Sequence, residues 1–246
     1  MENKMPTFTL DKTISVGLPC FNEEKNIGIV LENCINVLSS YFSDWEIIIV
    51  DNHSSDLTIK IIETKIIQYN KLKNKIKLIK NKENIFYSGS IQKIYNLCKF
   101  NYLAIMDTDN QYNPSDIIKC FKTIKKHNAD IVFGKRTDRG DTQLRKIVSY
   151  IYKLINSLLI KSNLKDINCG LKILKKYKKI QFIKGLNHIN PEIYACFYAD
   201  KKKIIEIDIT HKERKYGASV NSIIEILKTF IRVIYYLIKV KKKYKI

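Results

Sequence analysis

No stretch of about 18 charge-free apolar residues occurs in this sequence, so no segment reads as a membrane-spanning helix. The amino terminus, Met1 to Lys12, lacks the apolar run of a secretory signal. The six cysteines, Cys20, Cys34, Cys98, Cys120, Cys169 and Cys196, contain no CxxC pair. Several stand inside apolar runs and read as small core residues, reduced in a cytoplasmic compartment. There is no internal repeat, linker or low-complexity block. No interleaved aromatic and basic motif of the kind that stacks bases is present, so nucleic acid is not an expected partner. Tryptophan occurs once, as Trp45 just before an apolar run, and reads as core or rim packing. Acid is scarce: 24 Asp and Glu stand against 44 Lys and Arg, for a net charge of +20. That balance suits an anionic partner, although Lys, Ile and Asn abound along the whole chain and charge alone selects none.

What is present points to a packed α/β domain. The 246 residues are 45% hydrophobic, enough for one domain with a sizeable core and an appendage. Apolar runs at 14–18, 46–50, 76–79, 102–106 and 130–133 read as buried strands. Between them lie segments of helical periodicity, the first opened by Asn22, Glu23 and Glu24, the second capped by Ser55 and the fourth started by Pro114. Alternation of this kind predicts a mostly parallel sheet with helices on both faces. Further on, 144–160 and 191–198 read as helices and 204–209 as a strand.

Ligands in such sheets bind beyond the carboxyl ends of the strands. The residues there are Pro19 to Glu23, Asp51 to Asp56, and Asp107 to Gln111, a gathering of acidic and amide groups. In YLAIMDTDNQ two carboxylates follow a buried strand at i and i+2. Along an extended chain they point the same way and can reach one ion. Oxygen ligands of this type suit Mg²⁺ or Mn²⁺. Asp51 can accept hydrogen bonds from a base or ribose, or it can simply belong to a capped turn. In HKERKYGAS, Arg214 can contact a phosphate, or the segment can be a solvated basic turn.

The tail has its own pattern. From Ile223 to Val240 apolar residues dominate, and Glu225, Lys228, Arg232 and Lys239 share one helical face. The lysines at 241, 242, 243 and 245 follow. A basic-edged amphipathic helix can lie in a membrane interface, or it can pack on the domain.

Together these segments resemble the family 2 glycosyltransferases, and within them the dolichyl- or polyprenyl-phosphate sugar transferases. SVGLPCFNEEKNI is similar to that family's strand-P-x-[YF]-N-E segment, and EIIIVDNHSSDLT to its IIVDDGSxDGT. MDTDNQYNP resembles DxDxQxxP. FGKRTDRGD resembles the G-x-R segment and carries Arg136 and Arg139. DINCGLKILKK resembles D-x-x-x-G-[FL]-[KR], with Asp166, Gly170 and Lys172. HKERKYGAS resembles the R-x-x-G-x-S close. The matches run in order from about residue 13 to residue 219. Asn52 and His53 stand where the family usually has Asp and Gly, Leu57 replaces a second Gly, and Val220 stands where Lys is common.

The resemblance implies a GT-A fold, a nucleotide-diphospho-sugar transferase sheet, over residues 1–219, with 220–246 as a basic amphipathic helix. It implies that Pro19, Phe21, Asn22, Glu23, Asp51 and Arg136 surround a nucleotide-sugar. Asp107, Asp109 and Gln111 would hold Mg²⁺ or Mn²⁺, and Arg214 would face a phosphate, with Glu192 near the sugar. The Q-x-x-R-W motif of processive synthases is missing. The expected reaction is an inverting transfer from a GDP- or UDP-sugar to a polyprenyl or dolichyl phosphate. The expected location is the cytoplasmic face of a membrane, with peripheral attachment through the tail. A hydroxyl acceptor is the alternative and would need a base, for which Asp166 and Glu192 are the candidates. A catalytically silent scaffold is the second alternative.

Overall fold

The computed structural model describes residues 12–137, 143–185, 189–212 and 223–246. Arg139, Arg214, Val220 and the expected boundary at 219/220 lie outside the described residues. The first half alternates as expected: β1 (Thr13–Cys20), α1 (Ile27–Tyr41), β2 (Asp44–Asp51), α2 (Thr58–Gln68), β3 (Ile76–Lys80), α3 (Phe86–Leu97), β4 (Tyr102–Ile105), α4 (Ser115–Lys126) and β5 (Ile131–Arg136). Then follow α5 (Gln143–Ile160), β6 (Lys172–Lys175), α6 (Asn190–Ala199), β7 (Ile204–Ile209) and α7 (Ile223–Tyr244).

The strands form one seven-stranded sheet in the order β3-β2-β1-β4-β6-β5-β7. Side chains alternate across it as the strand period requires. Ile47 and Ile49 face a core with α1 and α4, while Ile48 and Val50 face a second core with α3, α6 and α7. The sheet is mixed, because β6 runs antiparallel to both β4 and β5. Its entry therefore lies at the edge where the parallel strands end, with Lys172 opposite Ile105. The chain leaves β1 toward β2 on one side and returns at β4 on the other. That reversal opens a crevice between the ends of β1 and β4, the usual binding place in open α/β sheets.

Two helix starts differ from expectation. α1 begins at Ile27, with no acidic residue in its first turn. The Glu23 amide is bound to Thr58 Oγ1 at 2.8 Å and the Glu24 amide to Asp56 Oδ2 at 3.2 Å, so both residues belong to a turn tied to the next loop. Ser55 caps no helix. Its amide donates to Asn22 Oδ1 at 2.9 Å, and Asp56 Oδ1 accepts the Thr58 amide at 3.0 Å where α2 starts.

α7 packs on the domain through Val233, Tyr236, Leu237 and Val240, all buried. These fall at i, i+3, i+4 and i+7, one stripe of a helix. Ile231, Ile234, Tyr235 and Ile238 form a second stripe of the same spacing, and it is exposed. Arg232 and Lys239 stand on a third, charged side. Where the sequence pattern suggests two faces, the helix has three. Among the described residues no helix is long and apolar enough to cross a membrane.

Candidate active site at the ends of β1 and β4

β1 carries Pro19 and Cys20 to the crevice and β4 carries Asp107, Thr108 and Asp109. The two segments are bolted together. The Met106 amide donates to the Gly17 carbonyl at 3.1 Å, and Thr108 Oγ1 donates to the Pro19 carbonyl at 3.0 Å. The middle residue of the acidic triplet is thus turned into the protein, which leaves Asp107 and Asp109 half-buried at the crevice.

Asp107 is hemmed in on two sides. The Tyr87 hydroxyl, from the first turn of α3, donates to Asp107 Oδ1 at 2.8 Å. Burial, then the Asp107 charge, push the Tyr87 phenol well above its ordinary pKa, so it stays a donor. Behind Oδ2 lies Gly170, where an added Cβ would fall 2.1 Å from that oxygen. Gly170 itself is fixed by its amide, which donates to the Tyr112 hydroxyl at 2.8 Å. Beneath them Lys172 is fully buried and its Nζ donates to the Gly170 carbonyl at 3.1 Å. Burial lowers the Lys172 pKa, and the neighbouring Asp107 charge works against that shift. Asp109 Oδ1 accepts the Gln111 amide at 3.1 Å, and Asn110 between them takes φ +61°.

A cleft of about 510 Å³ opens here. Pro19, Phe21, Glu23, Asp107 and Asp109 line it, together with Asn52, Asn84, Phe86, Tyr87, Asn168 and Asn190. Asn22, Asp51, Gln111 and Arg136 stand outside that lining. Asn22 is an exposed bracket, its amide donating to Ser54 Oγ at 2.9 Å. Asp51 is fully buried; Oδ2 accepts the Ser54 amide at 3.0 Å, while Oδ1 has no hydrogen-bond partner. Gln111 Nε2 donates to the Lys212 carbonyl at 3.1 Å, joining the acidic turn to the segment after β7.

Arg136 meets Asp166 rather than the cleft. Nε reaches Oδ2 at 2.6 Å and Nη2 reaches Oδ1 at 2.7 Å, a bidentate pair. Burial opposes the Arg136 charge, but the pair outweighs it and holds the guanidinium pKa above its usual value. Glu192, expected near the sugar, is not among the residues that line the cleft. It is fully buried, and accepts from the Ile183 amide at 3.0 Å, Lys243 Nζ at 2.6 Å and the Tyr244 hydroxyl at 3.2 Å. Its physical role is to clasp the end of α7.

Asn52 proves to be a cross-link. Its Nδ2 donates to Asn84 Oδ1 at 2.7 Å, and its Oδ1 accepts from Asn81 Nδ2 at 3.2 Å and the Ile85 amide at 2.9 Å. A carboxylate could not make the first of these bonds. Sequence reasoning missed Tyr87, Asn84, Phe86, Asn168 and Asn190, because each reaches the cleft from an element distant in sequence.

Among the described residues no three His, Cys, Asp or Glu side chains form a metal cage. Two carboxylates at one cleft nevertheless fit Mg²⁺ or Mn²⁺, which commonly take the remaining ligands from substrate phosphates and water.

The Glycosyl transferase family 2 model matches residues 15–208, most of the chain, and the chain belongs to that family. It is 27% identical over 209 residues to the dodecaprenyl-phosphate galacturonate synthase of Rhizobium johnstonii, covering 84% of this chain and 61% of the relative. It is 26% identical over 224 residues to the undecaprenyl-phosphate 4-deoxy-4-formamido-L-arabinose transferase of Photorhabdus laumondii, covering 90% and 66%. The chain thus spans about two thirds or less of the length of these two relatives. Among solved structures it resembles the glucosyl-3-phosphoglycerate synthase of Mycobacterium tuberculosis in complex with Mn²⁺, UDP and glucosyl-3-phosphoglycerate. The TM-score is 0.67 at 15% identity, over 92% of this chain and 78% of that one. That likeness concerns the fold, and the mixed sheet flanked by helices is consistent with the GT-A type.

Proposed function

We propose that this family 2 glycosyltransferase moves a sugar from a nucleotide-sugar to a polyprenyl phosphate, with Mg²⁺ or Mn²⁺ held by Asp107 and Asp109. The observation that carries the donor half is the carboxylate pair at the β1/β4 crevice, braced by Tyr87 and Gly170. A bound cation there would neutralise the charge that grows on the leaving diphosphate. The protein's part is positioning: Tyr87 and Gly170 fix the Asp107 carboxylate, and the Thr108 bond to Pro19 fixes the turn that carries Asp109.

In the transfer an acceptor oxygen bonds to the anomeric carbon as the bond from that carbon to the donor diphosphate breaks. The electron pair leaves with the nucleoside diphosphate. An acceptor phosphate is already anionic and has no proton to lose, whereas a hydroxyl needs a base. The expected bases, Asp166 and Glu192, are engaged with Arg136 and Lys243. That supports a phosphate acceptor, as do the names of the two relatives above.

The exposed α7 stripe supports a membrane location. Tyr150, Ile151, Leu154 and Leu158 form a further exposed stripe on α5, which packs beside α7. Lys239, Lys241 and Lys242 are exposed on α7, and Lys245 is exposed just past its end. Apolar side chains rimmed by lysine fit the interface of an anionic bilayer. In this reading α7 docks the catalytic domain on the cytoplasmic leaflet.

A hydroxyl acceptor is the second reading, favoured by the solved neighbour, whose bound product is glucosyl-3-phosphoglycerate. The test is transfer of label from a panel of UDP- and GDP-sugars to a short polyprenyl phosphate, beside 3-phosphoglycerate and free glycans. Product on the polyprenyl phosphate alone is the expected result. Product on a hydroxyl alone overturns the lipid reading and leaves the donor reading intact.

A further inference from the structure

Phe86 holds a backbone conformation that a bulky residue rarely adopts, with φ +61°. It does so at the wall of the cleft, with its side chain 43% exposed. It is the first residue of α3, and its ring is left partly open to water. Strain of this kind persists only where the surroundings impose it, and it collects at ligand sites.

The surroundings here do impose it. The Phe86 amide donates to Asn84 Oδ1 at 2.8 Å, and the same oxygen accepts from Asn52 Nδ2 at 2.7 Å. The Ile85 amide is bound to Asn52 Oδ1 at 2.9 Å. Asn52, just past the end of β2, therefore clamps the β3–α3 loop at Asn81, Asn84 and Ile85, immediately ahead of the strained residue.

Sheet order sets the position of the ring relative to the carboxylates. Asp107 and Asp109 follow β4; β1 lies next to β4, then β2, then β3. Neighbouring strands are about 4.8 Å apart, so β2 lies about 10 Å from β4. A diphosphate held at Asp107 and Asp109 leaves its nucleoside to extend across the end of β1 toward Asn52, Asn84 and Phe86, all of which line the same cleft.

We propose that Phe86 is the stacking wall for the donor's nucleobase, and that the Asn52–Asn84 clamp exists to hold its ring there. The proposal rests on the nucleotide-sugar reading of this cleft. Aromatic rings bind bases face to face, and loss of one such contact weakens binding by about 5- to 150-fold. The ring acts on the base alone, so it does not affect a ligand that has only the diphosphate.

The experiment is calorimetric titration of UDP, GDP, CDP, ADP and inorganic pyrophosphate, each with Mn²⁺, into wild type, Phe86→Gly, Phe86→Leu and Phe86→Tyr. Glycine accepts φ +61° without strain, so Phe86→Gly is expected to melt no lower than wild type. It is expected to lose about tenfold or more in affinity for the preferred nucleoside diphosphate and none for pyrophosphate. Phe86→Leu, which keeps apolar bulk without a ring, is expected to lose affinity in the same direction, and Phe86→Tyr to retain it. Wild-type affinity in both the glycine and leucine variants overturns the stacking role while leaving the donor reading intact. Equal loss for pyrophosphate and nucleotide overturns it too, since the ring would then act on the diphosphate half. Failure of wild type to bind any of the nucleotides overturns the donor reading, and the stacking role with it.

Discussion

The Tyr87 hydroxyl donates to Asp107 Oδ1 at 2.8 Å, and through that bond α3 aims a carboxylate that β4 delivers. Removing the hydroxyl frees one carboxylate oxygen without opening a large cavity. Tyr87→Phe is expected to lower kcat about tenfold, the worth of a hydrogen bond to a charged group. Mn²⁺ dependence is expected to weaken in parallel, and Tm to move by only a few degrees. Steady-state kinetics against a Mn²⁺ series, with a thermal melt beside it, checks this. Unchanged kinetics would show that Asp107 needs no such aiming.

Gly170 tests the same carboxylate from the other side. An alanine Cβ would lie 2.1 Å from Asp107 Oδ2 and 2.6 Å from its Cγ, so the carboxylate must rotate away. A displacement of about 1 Å at a catalytic group costs about a hundredfold. Gly170→Ala is therefore expected to fold, to bind nucleotide poorly in the presence of Mn²⁺, and to lose about two orders of magnitude in activity.

Asp166 separates a structural role from a catalytic one. Its removal leaves Arg136 largely buried and unpaired, which costs about 3–5 kcal/mol. Asp166→Ala is expected to lower Tm sharply, with kcat per folded molecule nearly unchanged. A selective collapse of kcat at unchanged Tm would make Asp166 a base and favour a hydroxyl acceptor.

Glu46 gives a pH signature. It is buried on β2, where it accepts from Ser15 Oγ at 2.6 Å, the Lys99 amide at 2.7 Å and Lys77 Nζ at 2.8 Å. Burial would raise its pKa, but these bonds outweigh burial and hold it below the ordinary value. A folded pKa below the unfolded one gives stability that is present above the unfolded pKa, about 4.3, and is lost as pH falls through the folded pKa. Urea titrations are expected to show a steeper fall of stability below about pH 4 in wild type than in Glu46→Gln. Parallel pH profiles would contradict the depressed pKa.

Much of this was legible in the sequence, for physical reasons. EIIIVD and YLAIMD each join a buried apolar run to a polar end, which is how a strand delivers a carboxylate to a sheet edge. The crevice follows from that alternation. Residues 166–174 read as a loop running into a short strand, and β6 (Lys172–Lys175) is that strand; the full burial of Lys172 within it is visible only in the fold. Glu192 was expected near the sugar only through the family resemblance. Its partners Lys243 and Tyr244 stand 51 and 52 residues away, out of reach of any local pattern. Asn52 looked like the loss of an acid. Only the fold brings Asn84 within 2.7 Å and gives the amide something a carboxylate could not bind.

The central claim is that Asp107 and Asp109 make nucleotide-sugar binding depend on a divalent cation. The most direct test is calorimetric titration of UDP and GDP into wild type and Asp109→Ala, with Mn²⁺ and with EDTA. Binding in wild type that EDTA abolishes, and that Asp109→Ala lacks even with Mn²⁺, is the predicted result. Equal affinity in Mn²⁺ and EDTA, or an Asp109→Ala variant that binds as wild type does, would contradict the account.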